Sequence, residues 1–377
     1  MKVLALAGDI AGLVAQVRLV VPLRGLCEPM GWPLTLKSFH DCTRTDVGSA
    51  EVLIVQRAAS GRVWRLQRHM RQQGGAVVYE IDDLLTAVAP HISNQTAMLK
   101  RQAWLKRCMA EADVVSVSTA RLGRELMLAS AIEVPNHAWP VGDSALPTHD
   151  PKKPVTLLFA SSDRLATDFI YPALRGLPGV QVVVVGPPAA AFEAAGIAVR
   201  RQPLMPRAQF VAFARSLPNP LAVIPLENSR FAACKSAVKW FDYAEAGVPT
   251  LCSAVSPYAE VVRDGITGAL VRNEPLAWLG ALRAATGDAA WRQRVAEAAR
   301  KCVREHHTMA LSMLAWQQAL EAALGRRAAV QLPAPGWAWQ AREGLASVVE
   351  NQLLKLRAIN RARLAQRAQR AQRAQRR

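Results

Sequence analysis

The stretch Pro225–Val271, PLENSRFAACKSAVKWFDYAEAGVPTLCSAVSPYAEVVRDGITGALV, carries the clearest strand–helix punctuation in the chain. The apolar run Leu221–Ile224 stops at Pro225, a polar loop follows, and a helical pattern opens at about Lys235. Gly247 and Pro249 close that helix and start the next strand, Pro249–Cys252. Glycine supplies the left-handed turn past the last helical residue, and proline cannot continue a helix. A helix that begins directly after a buried strand has its first amides at the carboxyl edge of a parallel sheet, where ligands of such folds bind.

The same alternation extends outward in both directions. Val155–Phe159 and Val180–Val185 read as further strands, with helices predicted near 164–176, 206–217, 235–246 and 256–263. Upstream, Val3–Ala7, Val52–Val55, Ala76–Tyr79 and Val114–Val117 read as strands, with helices around 61–73, 95–111 and 119–130. Short β-branched runs with no polar alternation are those of strands buried on both faces. Pro135, Pro140, Pro147, Pro151 and Pro154 separate the two series. The expected architecture is α/β: two doubly wound Rossmann-like domains facing each other across a cleft. The first spans 1–140, a linker 141–154, the second domain 155–324, and a linker with a basic helical tail 325–377.

At 377 residues and 51% hydrophobic, the chain can bury two cores, which excludes wholesale disorder. No apolar run approaches the roughly 18 residues of a membrane span. The opening MKVLALAGDI reads as a first buried strand rather than a secretion signal. Six cysteines with no CxxC pair predict free thiols and a cytoplasmic protein, against a zinc site or a disulfide framework. Half of the formal net charge of +18 lies in the last 27 residues, which contain no acid. That tail ends in four AQR triplets, whose arginines precess by about 60° per repeat around any helix and so share no face. It predicts electrostatic attachment to an anionic membrane surface, at its inner face; nucleic acid is disfavoured because no aromatics interleave the charges.

The chemistry concentrates at two places. Lys235, Ser236 and Lys239 stand at the predicted helix start, where amides, a hydroxyl and two ammonium groups make a diphosphate cradle. On the same helix, Asp242 and Glu245 offer carboxylates to ribose or sugar hydroxyls. The second place is the acidic turn Glu80–Asp82–Asp83, which follows a strand of the first domain. Asp82 or Asp83 would cap a following helical turn, or, as the family resemblance named below implies, orient an acceptor hydroxyl or stabilise oxocarbenium character. Gly8 ends the first strand, where it would let an acceptor approach the backbone. His306 and His307 are expected at the surface.

These motifs carry a resemblance. KSAVKWFDYAEAGVPTLCS, SPYAEVVRDGITGALV and AWRQRVAEAARKCVREHHT resemble the C-terminal half of GT-B glycosyltransferases of family four. More narrowly they resemble a bacterial subgroup with K-S-x-x-K-[FW]-x-[ED]-Y in place of E-x7-E. FASSDRLATDF (159–169), VVYEIDDLL (77–85) and QVRLVVPLRGL (16–26) are similar to loops and helices of that subgroup, so the likeness spans roughly 1–320. The resemblance implies that Asp242 holds the ribose and that the amides at Lys235 and Ser236 grip the diphosphate. It also implies that Arg164 binds phosphate. The lysine that accompanies this arginine in the family is Phe169 here, so Lys235 or Lys239 takes its place. The first acidic position of E-x7-E falls on Cys234, so the motif does not name the sugar.

The function expected from all this is a glycosyltransferase. It would move a sugar from a nucleotide-sugar donor to a glycan or lipid-linked acceptor hydroxyl, with retention and in cell-surface glycan synthesis. It would need neither metal nor other cofactor, because basic groups neutralise the leaving diphosphate. In that scheme Asp82, Asp83 and Lys235 are catalytic, and Arg164, Lys235, Ser236, Lys239 and Asp242 bind the donor. The alternatives are a nucleotide-sugar epimerase and a non-catalytic, polyanion-binding GT-B scaffold.

Overall fold

The structure is a computed structural model and describes residues 1–327, apart from 89–94, 140–141, 143–144 and 163–167. Two six-stranded parallel sheets organise it. The first contains β1 (Val3–Ala7), β2 (Leu34–Ser38), β3 (Val52–Gln56), β4 (Ala76–Ile81), β5 (Val114–Val117) and β6 (Ile132–Glu133), in the order β2-β1-β3-β4-β5-β6. The second contains β7 (Val155–Ala160), β8 (Val180–Val185), β9 (Arg200–Gln202), β10 (Pro220–Ile224), β11 (Thr250–Ser253) and β12 (Ala269–Val271), in the order β12-β11-β10-β7-β8-β9. Each sheet is doubly wound: the chain leaves the first strand to one side and returns to build the other. The two-domain α/β architecture expected from the sequence is present.

Each sheet is covered on both faces, and strand pleating divides its residues between two cores. Leu4 and Leu6 of β1 join Val63, Trp64 and Met70 of the helix Gly61–Gln72, while Val3, Ala5 and Ala7 join the helix pair on the opposite face. In the second sheet Leu158 packs with Trp240 and Tyr243, whereas Leu157 and Phe159 pack with Phe192, Trp278 and Leu282.

The last described helix, Met309–Arg326, changes sides. The sequence reading leaves residues 309–324 with the second domain, but this helix covers the first sheet, with Trp316, Ala319, Leu320 and Ala323 against Val3, Ala5, Val78 and Val114. Its alanine and leucine face fits a sheet surface left bare beside the helix Val21–Cys27, and Trp316 Nε1 donates to the Arg18 carbonyl at 2.9 Å. The chain therefore crosses between sheets twice. The crossings touch where Ala138 N–H donates to the His307 carbonyl at 2.8 Å. His307 is accordingly half-buried rather than at the surface: its ring stacks on Phe241 at 4.2 Å, and burial pushes its pKa down to about 4. His306 is exposed. All six cysteines are free. Among the described residues, no helix is long and apolar enough to cross a membrane. The tail, including 355–377, lies outside the described residues.

Candidate functional site

On the first sheet the site grows from β4. Every residue of that strand is buried, so the acids that follow leave the sheet interior at its carboxyl end. Glu80 is completely buried and Asp82 and Asp83 emerge at the rim. Arg57, one residue past β3, holds a left-handed φ of 51°, unusual for a side chain with a Cβ. Its N–H donates to the Glu80 carbonyl at 2.9 Å, and its guanidinium bridges Asp82 and Asp83, the latter at 2.6 Å. Lys235 Nζ reaches across from the second domain to Asp83 Oδ1 at 3.0 Å. Burial acts to raise the Asp83 carboxyl, but Lys235 and Arg57 outweigh it and hold the group below its ordinary range.

Beneath the rim, Arg18 is buried within a π-helical turn, Gln16–Val20, of the helix that follows β1. Its Nε donates to Glu80 Oε1 at 2.8 Å, and its Nη1 donates to the Val134 carbonyl at 2.6 Å and Asn136 Oδ1 at 2.9 Å. Glu80 lies above its ordinary range because burial, with the nearby Asp82 charge, exceeds the attraction of Arg18 and Arg57. Asn136 Nδ2 in turn donates to Ser236 Oγ at 2.5 Å, continuing the chain of contacts into the second domain.

On the second sheet, the helix expected from Lys235 starts later. Ser229 caps a short helix, Arg230–Ala233, by accepting from the Ala232 N–H at 3.1 Å. Lys235 N–H folds back onto the Ala232 carbonyl, so Lys235 and Ser236 form the turn before the helix Val238–Ala246. Its N-cap, Ala237, has no side chain that could bond the first N–H groups, which also lack partners within the helix itself. Lys239 lies in the first turn, with Nζ 3.4 Å from Ser161 Oγ at the end of β7. The stop at Gly247 is as expected: φ is 72°, and a Cβ there would lie 2.4 Å from Leu146 Cδ2.

Asp242 and Glu245 part company. Asp242 receives Arg207 Nε at 2.7 and 2.9 Å and Nη2 at 2.6 Å, while burial still raises its carboxyl above the ordinary range. Glu245, expected toward the cleft, instead binds Arg304 of the helix Ala289–His306 at 2.8 Å.

Between the carboxyl edges of the two sheets lies a cavity of about 220 Å³. Asp82, Lys239 and Asp242 line it as the sequence suggested. Asp83, Lys235 and Ser236 stand beside it rather than in its lining, and Arg164 lies outside the described residues. The sequence reading missed Arg18 and Arg207, both of which line the cavity. The available signal was a cation among apolar neighbours, Val17-Arg18-Leu19-Val20, in a helix that had to be buried. Gly8 is exposed at the end of β1 and does not line this cavity.

These features define the GT-B fold: two facing parallel α/β domains with a cavity at their shared carboxyl edge. Solved structures share it. Sucrose-phosphate synthase from Thermosynechococcus elongatus matches with a TM-score of 0.59 and 16% identity, covering 84% of this chain and 97% of that one. HepE from Anabaena, in complex with UDP and glucose, matches with a TM-score of 0.60 and 14% identity, covering 85% and 100%. A glycosyltransferase from Rickettsia africae matches with a TM-score of 0.59 and 10% identity, covering 86% and 98%. No protein-family model matches the chain, and no curated protein matches its sequence.

Proposed function

We propose that this protein is a retaining glycosyltransferase that moves a sugar from a nucleoside-diphosphate donor to an acceptor hydroxyl without a metal ion. The observation that carries the reading is the cavity at the carboxyl edges of both sheets. Lys239, Asp242 and the start of the helix Val238–Ala246 meet Asp82 of the facing domain there. The fold shared with HepE, whose structure holds UDP and glucose, supports the same reading.

In this scheme the second domain holds the donor, with Asp242 toward the ribose and Lys239 and the helix amides toward the diphosphate. As the sugar–phosphate bond breaks, negative charge grows on the leaving group, and donors already fixed in place stabilise it without reorganising. Lys235 reaches the diphosphate by exchanging Asp83 for it, and Ser236 sits at the same turn. Asp82, fixed by Arg57, orients the acceptor hydroxyl, and Asp83 backs it. Arg164 supplies a further phosphate contact. The acceptor is a lipid-linked glycan, met at an anionic membrane that the basic residues 355–377 bind electrostatically in the cytoplasm.

Purified protein incubated with a panel of nucleotide sugars in EDTA is expected to hydrolyse one donor slowly and to transfer its sugar when a suitable acceptor is added. Release of an epimerised donor would replace the reading with an epimerase; binding without turnover would replace it with a scaffold. Activity lost to EDTA and restored by manganese would make the acidic turn a metal site. For the tail, sedimentation with anionic vesicles is expected to be lost on truncation at Glu350 and on raising salt, as screening requires.

A further inference from the structure

The turn Cys234–Lys235–Ser236 belongs to the second domain in sequence, yet the first domain holds each of its residues. Just ahead of it Phe231 is buried, with Cys234, in the core of the first domain, in one cluster with Leu84, Leu85 and Val117. Thr119 Oγ1 donates to the Cys234 carbonyl at 3.1 Å. Asp83 holds Lys235 Nζ, and Asn136 holds Ser236 Oγ. These contacts come from separate elements: Thr119 caps the helix Ala120–Glu125, Asp83 follows β4, and Asn136 lies on the segment that leaves β6 for the second sheet. Directly after the turn, Val238 and Lys239 line the cavity, as does Asn136 itself. Hydrogen-bond polarity then gives Asn136 a direction. Arginine has only donors, so the amide oxygen faces Arg18 Nη1 and the amide nitrogen faces Ser236. Ser236 Oγ accepts at 2.5 Å, which leaves its own hydrogen to donate. A half-buried hydroxyl held in this way is set as a donor, the polarity that an anionic oxygen needs.

We propose that Asn136 and Thr119 are positioning residues of the first domain, which set the turn Cys234–Ser236 so that the Ser236 hydroxyl donates to a phosphate oxygen of the donor. The identity of that ligand rests on the transferase reading; the polarity of the hydroxyl rests on Arg18 and Asn136 alone. Thr119 fixes the backbone of the turn through the Cys234 carbonyl, and Asn136 fixes its hydroxyl. A donor aligned before the ligand arrives needs no reorganisation when charge develops on the leaving group. Because both residues stand on the first domain, the turn grips only while the domains are together, so diphosphate binding and closure of the cleft are coupled.

The test is calorimetric binding of UDP and pyrophosphate to the full chain and to Ser236→Ala, Asn136→Asp and the double variant. Aspartate keeps an acceptor for Arg18 but replaces the amide donor, so the Ser236 hydroxyl turns to it and away from the ligand. Each single variant is expected to weaken both probes by about 10-fold, and the double variant no more than either one. The thermal midpoint of Asn136→Asp is expected to hold or rise, because a carboxylate then faces Arg18, whereas a merely structural Asn136 would lose stability and affinity together. Thr119→Val is expected to weaken both probes by about 3- to 10-fold, with affinity restored in Thr119→Ser, which keeps the hydroxyl and the cap. Unchanged UDP affinity in Asn136→Asp would overturn the proposal and leave the transferase reading standing. Losses that add in the double variant would assign the effect to the new negative charge and also overturn it. Thr119→Val that lowers the thermal midpoint without changing affinity would reduce Thr119 to a helix cap. A wild-type chain that binds neither probe would remove the proposal and the transferase together. A non-additive loss of pyrophosphate binding in a protein that turns over no nucleotide sugar would keep the positioning and remove the transferase.

Discussion

The rim and the floor of the cleft use the same chemistry to different ends. At the rim, Arg57 is shared by Asp82 and Asp83, and Lys235 adds a second cation to Asp83 from the opposite domain. At the floor, Glu80 and Asp242 have principally one arginine each. Lys235 and Arg57 overcome the desolvation of Asp83, whereas Arg207 does not overcome that of Asp242, and at Glu80 burial together with the Asp82 charge exceeds the attraction of Arg18 and Arg57. The rim is thus a self-contained contact between domains. The floor retains buried, unpaired polar atoms of both signs, the Arg18 and Arg207 guanidinium nitrogens and Glu80 Oε2 among them. The contrast separates an ion-pair network that spans the two domains from pairs buried within each of them.

Stability offers the widest gap with which to break this contrast. Glu80→Ala leaves Arg18 charged and buried without its carboxylate and is expected to cost about 3–5 kcal/mol. Lys235→Ala opens a partly exposed pair, whose cost is expected to be about 0.2–1 kcal/mol. Urea unfolding measures both, and similar costs would erase the distinction between floor and rim. Turnover sharpens it next. If Lys235 exchanges Asp83 for the leaving diphosphate, Lys235→Ala lowers kcat by about 10²-fold. A folded variant with near-normal kcat would leave Lys235 as a domain contact alone.

The acid range gives a subtler comparison, because the two carboxyls shift in opposite directions. The Asp83 pKa is lowered by folding, so its contribution is complete above the unfolded value near 4 and is lost as pH falls through the folded one. The Glu80 pKa is raised, so its contribution is greatest below the unfolded value and declines as pH rises through the folded one. Unfolding free energies from pH 3 to 6 are therefore expected to rise with pH for wild type relative to Asp83→Asn and to fall relative to Glu80→Gln. Slopes of one sign would contradict the assignment. Away from the charges, Gly247→Ala is expected to cost about 1–2 kcal/mol of stability with kcat retained, since a side chain at φ 72° is strained and meets Leu146.

The strands legible in the sequence were the central ones. β1, β3, β4, β5, β7, β8, β10 and β11 are flanked on both sides in their sheets and read as short apolar runs. The alternation missed β2, β6, β9 and β12, which are the four sheet edges. Their sequences, such as LTLKS and RRQ, show why: an edge is partly solvated, so selection for burial writes no continuous apolar signal there. The helix start at Val238 was misplaced by three residues because a local turn at Lys235 looks like helix in composition.

Sequence alone determined the doubly wound α/β class, the punctuation around Gly247, and Asp82, Lys239 and Asp242 as cavity residues. Those features are local: periodicity, turn chemistry and position after a strand are properties of neighbours in the chain. The tertiary structure decided which charges meet. Arg18 finds Glu80 across 62 residues, Arg207 finds Asp242 across 35, and Lys235 finds Asp83 across 152. It also decided that the helix Met309–Arg326 returns to the first sheet, because only in the folded molecule is there a bare apolar face for it to cover. Such pairings depend on distance in space and on shared burial, and no spacing along the chain encodes either.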